Sequence, residues 1–291
     1  MINSIFKKVF YLILRLFTQL DLILFKIFKK RIFDKISKYI ELHAITKINI
    51  LNKKIAFYTP NENTKWRIEN FYKLESEILR WIDSFEKTNN LIFWDIGSNI
   101  GVYSIYNSLK HPDSTSISFE PSAANLQILC RNISLNEFKN IKVFPIALTK
   151  KENHFSMMQS SSVELEPGAA HNTFGESFDY EGKKLKKTSN YYMFGTSINY
   201  VLENKILEVP DYIKIDVDGI EHLILEGANN FLKNKKIKSL VIEINENFED
   251  HFERILKIMK ENEFKIYDRQ YNKHNTLNNS FSKTFNYVFV R

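Results

Sequence analysis

The stretch FWDIGSNIGVYS, residues 93–104, constrains this chain more than any other. A short apolar run closes around Asp95. Two of the chain's eight glycines then follow four residues apart, and a helical pattern begins. A strand that turns through glycine into a helix sits at the carboxyl edge of an open α/β sheet, where backbone approaches ligands. Gly97 and Gly101 remove side chains where a Cβ would collide. Asn99 stands midway between them, and asparagine is the non-glycine residue that best tolerates positive φ.

The rest of the chain repeats that unit. LIFWDI, TSISFE, IKVFPIAL, YIKIDV and IKSLVIEIN read as strands. Between them GVYSIYNSLK, SAANLQILCRNISLN, GIEHLILEGANNFLKN and FEDHFERILKIMKENE read as helices. This order predicts a doubly wound, mostly parallel sheet covered by helices on both faces. FKIYD and FNYVFVR close the chain with no helix between them, so the last strand is expected to run antiparallel. Residues 150–195 break the alternation and hold Gly168, Gly175, Gly182 and Gly195. They read as a loop or hairpin insertion. KINILNKKIAFYTP reads as a hairpin turning at Asn52-Lys53, and residues 66–86 as one helix. Three segments result: residues 1–45, an amphipathic helical extension; 46–90, a hairpin and helix; and 91–291, the α/β body.

The acids beside the turn narrow the ligand. A dinucleotide would bring a pyrophosphate to this helix start, where Asp95 would repel it. S-adenosylmethionine (SAM) carries an ammonium and a sulfonium instead, and a strand-end aspartate suits both. Glu120 ends the next strand, nineteen residues after Gly101, where an acid meets ribose hydroxyls in doubly wound nucleotide sites. An NAD-dependent oxidoreductase is the rival reading, disfavoured by Asp95 and by the missing third glycine.

FWDIGSNIGVYSI, SFEPSAANLQILCRNISLN, YIKIDVDGIEHLILEGA and the following VIEIN, in that order, resemble the FkbM-type methyltransferases over about residues 60–290. The resemblance implies a class I, Rossmann-like methyltransferase fold and, most often, O-methylation. It also implies that Asp95, Gly97, Asn99 and Gly101 form the loop at the methionine end of SAM. Glu120 becomes the ribose ligand, and Ala147 is placed beside the adenine edge. The first 45 residues fall outside this resemblance.

A second group of oxygens gathers in KIDVDGIEH and VIEIN. Asp216 and Glu243 end strands at the ligand edge, and either could take a proton from a substrate hydroxyl. Asp218 and Glu221 read as helix-starting acids that complement the dipole. Asp216, Glu243 and Asn245 are the candidate donors for Mg²⁺ or Mn²⁺, as an all-oxygen set. His171, in the insertion, is a third candidate base. Arg67 and Glu75 could reach the SAM carboxylate and ammonium. The acceptor is expected to be a hydroxyl on a sugar, a glycan or a lipid-linked precursor.

Charge separates the two ends of the chain. Residues 1–54 hold twelve Lys/Arg against three Asp/Glu, and the remainder 29 against 31. The body is therefore no basic nucleic-acid binder. Lysine is common throughout, so single lysines carry little weight. One cysteine, Cys130, excludes an internal disulfide and fits a reducing, cytoplasmic setting. In residues 1–33 Arg15, Asp21 and Lys26 interrupt any run long enough to span a bilayer. Lys8, Arg15, Gln19, Lys26 and Lys30 fall on one helical stripe, with Leu, Ile, Phe and Val around the rest. Such a helix packs on the body or a second copy through residues 1–40, or lies peripherally on a membrane. A non-catalytic, membrane-associated protein keeping the SAM fold is the second rival.

Overall fold

The structure, a computed structural model, describes residues 2–160, 166–169, 172–176, 189–271 and 283–291. The chain forms two compact units, Met1–Ile45 and Thr46–Arg291.

In the first unit, α1 (Ile2–Phe28) is followed by α2 (Ile32–His43). α1 stops short of Lys30, because Lys29 takes a positive φ of 56°. Lys30 therefore drops out of the expected stripe. Asp21, which interrupts the apolar run of α1, is buried. Its carboxylate accepts the backbone N–H groups of Ile32 (2.6 Å) and Phe33 (3.0 Å) and the Nε of Arg31 (2.8 Å). It thereby caps the otherwise unsatisfied start of α2 from the neighbouring helix.

The second unit opens with a hairpin, β1 (Ile45–Ile50) and β2 (Lys53–Tyr58). The turn residues are Leu51 and Asn52, with φ of 47° and 65°. Positive φ at both central positions is the two-residue geometry that matches strand twist, one residue earlier than expected. The single helix expected over 66–86 is three: α3 (Glu62–Glu69), α4 (Phe71–Leu74) and α5 (Ser76–Asp83). The breaks fall at Asn70 and at Glu75, which has φ −139° and ψ 60°. The break at Glu75 turns its carboxylate inward, as described below.

The α/β body then follows the predicted alternation: β3 (Ile92–Ile96), α6 (Val102–Lys110), β4 (Thr115–Phe119), α7 (Ala123–Leu135) and β5 (Ile141–Phe144). Pro145 interrupts the expected third strand. Its remainder, β6 (Ala147–Leu148), leaves to join the insertion strands β7 (His154–Ser160), β8 (Asn172–Phe174) and β9 (Ser189–Thr196) in a second sheet ordered β6-β9-β7-β8. α8 (Ile198–Glu203), β10 (Tyr212–Ile215), α9 (Glu221–Glu226), β11 (Ser239–Asn245), α10 (Glu249–Glu261), β12 (Lys265–Tyr271) and β13 (Thr284–Val290) complete the body.

The main sheet is ordered β12-β13-β11-β10-β3-β4-β5. β11, β10, β3, β4 and β5 pair in parallel, and β13 is antiparallel to both β11 and β12. This is the class I methyltransferase arrangement. Strands buried on both faces need continuous apolar runs. Trp94, Ile96, Phe119, Ile213, Ile215, Leu240 and Ile242 accordingly fill the core. The strand order puts the carboxyl ends of β3, β4, β10 and β11 side by side, where the order reverses.

Candidate functional site

A cavity of about 310 Å³ opens at that edge, lined from all four strand ends, from α3, α4 and Glu75, and from the second sheet. Its volume lies in the range of small-molecule sites.

The β3–α6 turn forms one wall. Gly97, Asn99 and Gly101 have φ of 77°, 49° and 89°, so asparagine does tolerate the left-handed position. The need for glycine, however, comes from protein rather than ligand. A Cβ on Gly97 would lie 1.8 Å from the Asp216 carbonyl oxygen, and one on Gly101 would lie 2.5 Å from Leu129 Cδ1. Gly97 and Asn99 line the cavity, whereas Gly101 packs behind it.

Asp95 requires a correction. It is fully buried and does not line the cavity. Its Oδ2 accepts the backbone N–H (3.1 Å) and hydroxyl (2.7 Å) of Ser104 in α6. Its Oδ1 lies 3.4 Å from Lys214 Nζ. Its charge is thus balanced inside the protein. A buried carboxylate needs such a partner, and the partner was hidden within an apolar strand.

That partner, Lys214, is 1% exposed and sits directly opposite Asp95 in the β10–β3 register. Its Nζ also lies 3.3 Å from Asp216 Oδ2, donates to the Gly97 carbonyl at 3.2 Å, and stands 5.3 Å above the Tyr103 ring. Burial works against its charge, but Asp216, Asp95 and Glu75 outweigh burial and raise its pKa. The sequence carried one signal for this: a lysine inside YIKIDV, where every neighbour in the strand is buried.

Glu120 does face the cavity. Its carboxylate accepts the backbone N–H of Asn99 (2.7 Å) and of Ser122 (2.8 Å), which holds it at the tip of β4. Burial pushes its pKa up to about 7, against the opposing pull of those hydrogen bonds. Ala147 lines the same cavity with Ile146, Leu148, Met158 and Phe174, an apolar group within the site.

Asp216, Glu243 and Glu75 line the cavity with Lys214 and Tyr103. Asp216 is 27% exposed, unlike the sealed Asp95. Glu243 has its pKa raised well above the usual range, first by the loss of solvent around its carboxyl and then by the charges of Asp216, Glu75, Asp218 and Glu221. Glu75 is raised as well, first by burial and then by Asp216. It accepts hydrogen bonds from the Tyr103 hydroxyl and from Asn286 Nδ2.

Of the candidate metal donors, Asp216 lines the main cavity and Asn245 a separate small pocket beside Phe248 and His251, while Glu243 lines both; the Asn245 side chain accepts the N–H of Asn247. Among the described residues no group of three or more His, Cys, Asp or Glu is arranged to hold a metal ion. Asp218 lines the cavity, and Glu221 is buried behind it. Glu221 accepts the N–H groups of Val217 and Gly219, so it braces the β10–α9 turn rather than only complementing a dipole. His171 lies outside the described residues.

Described parts of the insertion line the site. Met158, Ala169, Asn172 and Phe174 line the cavity. The segment 166–169 is fastened to the body by Arg67 Nε on the Gly168 carbonyl (2.7 Å), Asn61 Nδ2 on the Pro167 carbonyl (2.9 Å) and the Gly168 N–H on Asn125 Oδ1 (2.8 Å). Arg67, expected to meet a ligand carboxylate, spends one donor on this strap while still lining the cavity.

The sequence profile of the Methyltransferase FkbM domain matches residues 95–266, which hold the turn, Glu120, Lys214, Asp216 and Glu243. The chain belongs to the FkbM methyltransferase family. Among curated relatives, Methyltransferase sdnD of Sordaria araneosa is 26% identical over 164 residues, covering 48% of this chain and 61% of that protein. Methyltransferase 1 of Beauveria bassiana is 22% identical over 143 residues, covering 47% of this chain and 57% of that protein. The match therefore spans about three-fifths of each relative's length. Among solved structures, M. jannaschii TYW2 in complex with AdoMet is 14% identical, covers 85% of this chain and 87% of that one, and has a TM-score of 0.42.

Proposed function

We propose that this FkbM-family chain is a SAM-dependent methyltransferase acting on a hydroxyl of a sugar, a glycan or a lipid-linked precursor. One observation carries the reading: a single cavity is lined by Glu120 and by the Lys214–Asp216–Glu243 group. The residues fit SAM by chemistry. Glu120 offers carboxylate oxygens to a ribose diol. The apolar group of Ile146, Ala147, Met158 and Phe174 suits a flat purine. Glu75 and Asp216 supply negative charge for an ammonium. When bound, SAM supplies an electrophilic methyl group.

The chain's own residues then handle the acceptor. Asp216, exposed to the cavity and ion-paired to Lys214, accepts the hydroxyl proton. Glu243, buried beside Asp216 on the same cavity wall, hydrogen-bonds the acceptor and orients it. The strap at 166–169 and the second sheet limit water in the cavity, which strengthens these electrostatic contacts.

Incubating the full chain with methyl-labelled SAM and a panel of sugars, oligosaccharides and lipid-linked saccharides tests the reading. Label recovered as an acid- and base-stable methyl ether supports it. Label recovered on nitrogen or on a carboxyl would replace the oxygen acceptor. No transfer, together with NAD binding in place of SAM, would overturn the reading.

A further inference from the structure

The first unit exposes an apolar surface that its own two helices leave uncovered. α1 presents Phe17 to Phe33 of α2, with ring centroids 6.3 Å apart. By helical periodicity Val9, Leu16, Leu20, Ile23 and Ile27 fall on a different side. They are 50%, 63%, 51%, 54% and 65% exposed. α2 adds Tyr39 and Ile40 at 62% and 60%, and none of its residues is buried. An exposed apolar stripe of this length requires a partner.

Charge selects the partner. Residues 1–45 contain nine Lys/Arg and three Asp/Glu, and one of those acids, Asp21, is already consumed by Arg31 and the start of α2. Lys8, Arg15 and Lys26 lie within a narrow arc of α1, roughly a quarter-turn from the apolar stripe. Basic residues flanking an apolar face match an anionic bilayer interface, where the stripe enters the acyl boundary and the cations meet lipid phosphates. A second copy would bring like charge against like charge along the same edge. Among the described residues no helix is long and apolar enough to cross a membrane, so the unit fits a surface mode of contact.

We infer that α1 and α2 form a monotopic docking surface for an anionic lipid bilayer, lying in the interface with the Val9–Leu16–Ile23 stripe inserted. Asp21 fixes the angle between the two helices by capping α2, so that both contribute to one surface.

Co-sedimentation of the full chain with phosphatidylcholine vesicles, with and without phosphatidylglycerol, tests this. Binding is expected to the anionic vesicles and to weaken as salt rises. Lys8→Gln/Arg15→Gln/Lys26→Gln keeps good helix formers, so helicity by circular dichroism is expected to hold. It should weaken that binding by on the order of 100-fold, at roughly fivefold per removed charge. Val9→Ser/Leu16→Ser/Ile23→Ser should abolish it. Full-length chain left in the supernatant with both vesicle types overturns the inference. So does equal binding to neutral and anionic vesicles. So does a dimer, seen by sedimentation velocity and lost in the serine variant, with no vesicle binding.

Discussion

Asp95 and Asp216 end adjacent strands of one sheet and share one lysine, yet they occupy opposite situations. Asp95 is sealed, with Ser104 and Lys214 taking its oxygens. Asp216 meets the same ammonium at 3.3 Å and still keeps 27% of its side chain open to the cavity. The difference comes from position along the strand. Asp95 lies inside β3, level with Lys214, and α6 packs over it. Asp216 lies just beyond the end of β10, its N–H still donating to the Ile96 carbonyl at the tip of β3. Two positions along the shared register thus separate an acid that belongs to the scaffold from one that faces the cavity.

Substitutions can break that contrast. Asp216→Asn should lower kcat by on the order of 10² to 10⁴-fold while leaving the denaturation midpoint almost unchanged, because the proton acceptor is lost but little buried structure is. An unaltered rate would move the base to Glu243. Lys214→Met should cost about 3–5 kcal/mol of stability in urea unfolding, since two carboxylates lose their counter-charge together. A midpoint like the parent's would show that the lysine is dispensable. Asp95→Asn should destabilise by about 1–3 kcal/mol through lost charged hydrogen bonds. It should change kcat far less than Asp216→Asn does. If the two rank the other way in a methyl-transfer assay, the contrast between scaffold and site fails.

The smallest expected effect is on pH. The Glu120 pKa is raised to about 7 before ligand binds, so near pH 6 most molecules carry a protonated carboxyl there. Ribose hydroxyls need the ionised form as acceptor. SAM affinity should therefore be highest above that value and fall by at most about tenfold per unit as pH drops below it. A flat profile by fluorescence titration between pH 6 and 8 would argue against the contact.

The alternation of apolar runs and helices, the antiparallel last strand and the strained turn at Asn99 were all legible in the sequence, because each rests on local periodicity or local sterics. The break at Glu75 was not. Trp66, Phe71, Leu74 and Ile78 keep near-helical spacing across it, and only tertiary packing with Tyr103 and Asn286 opens the helix there. Lys214 escaped notice because lysine is abundant in the chain and its significance depends on partners on β3 and beyond β10. Asn245 looked like a third metal donor because strands alternate, placing residues 243 and 245 on one side. Glu243 and Asn245 do share the small pocket, but Asp216 lines only the main cavity, a division set by residues distant in sequence.

Isothermal titration of SAM into the full chain and into its Glu120→Gln variant tests the central claim most directly. The cavity between Glu120 and Asp216 predicts one site per chain, with affinity weakened by about 1–3 kcal/mol in the variant. Absence of heat with the parent chain, or the same dissociation constant for both proteins, would contradict it.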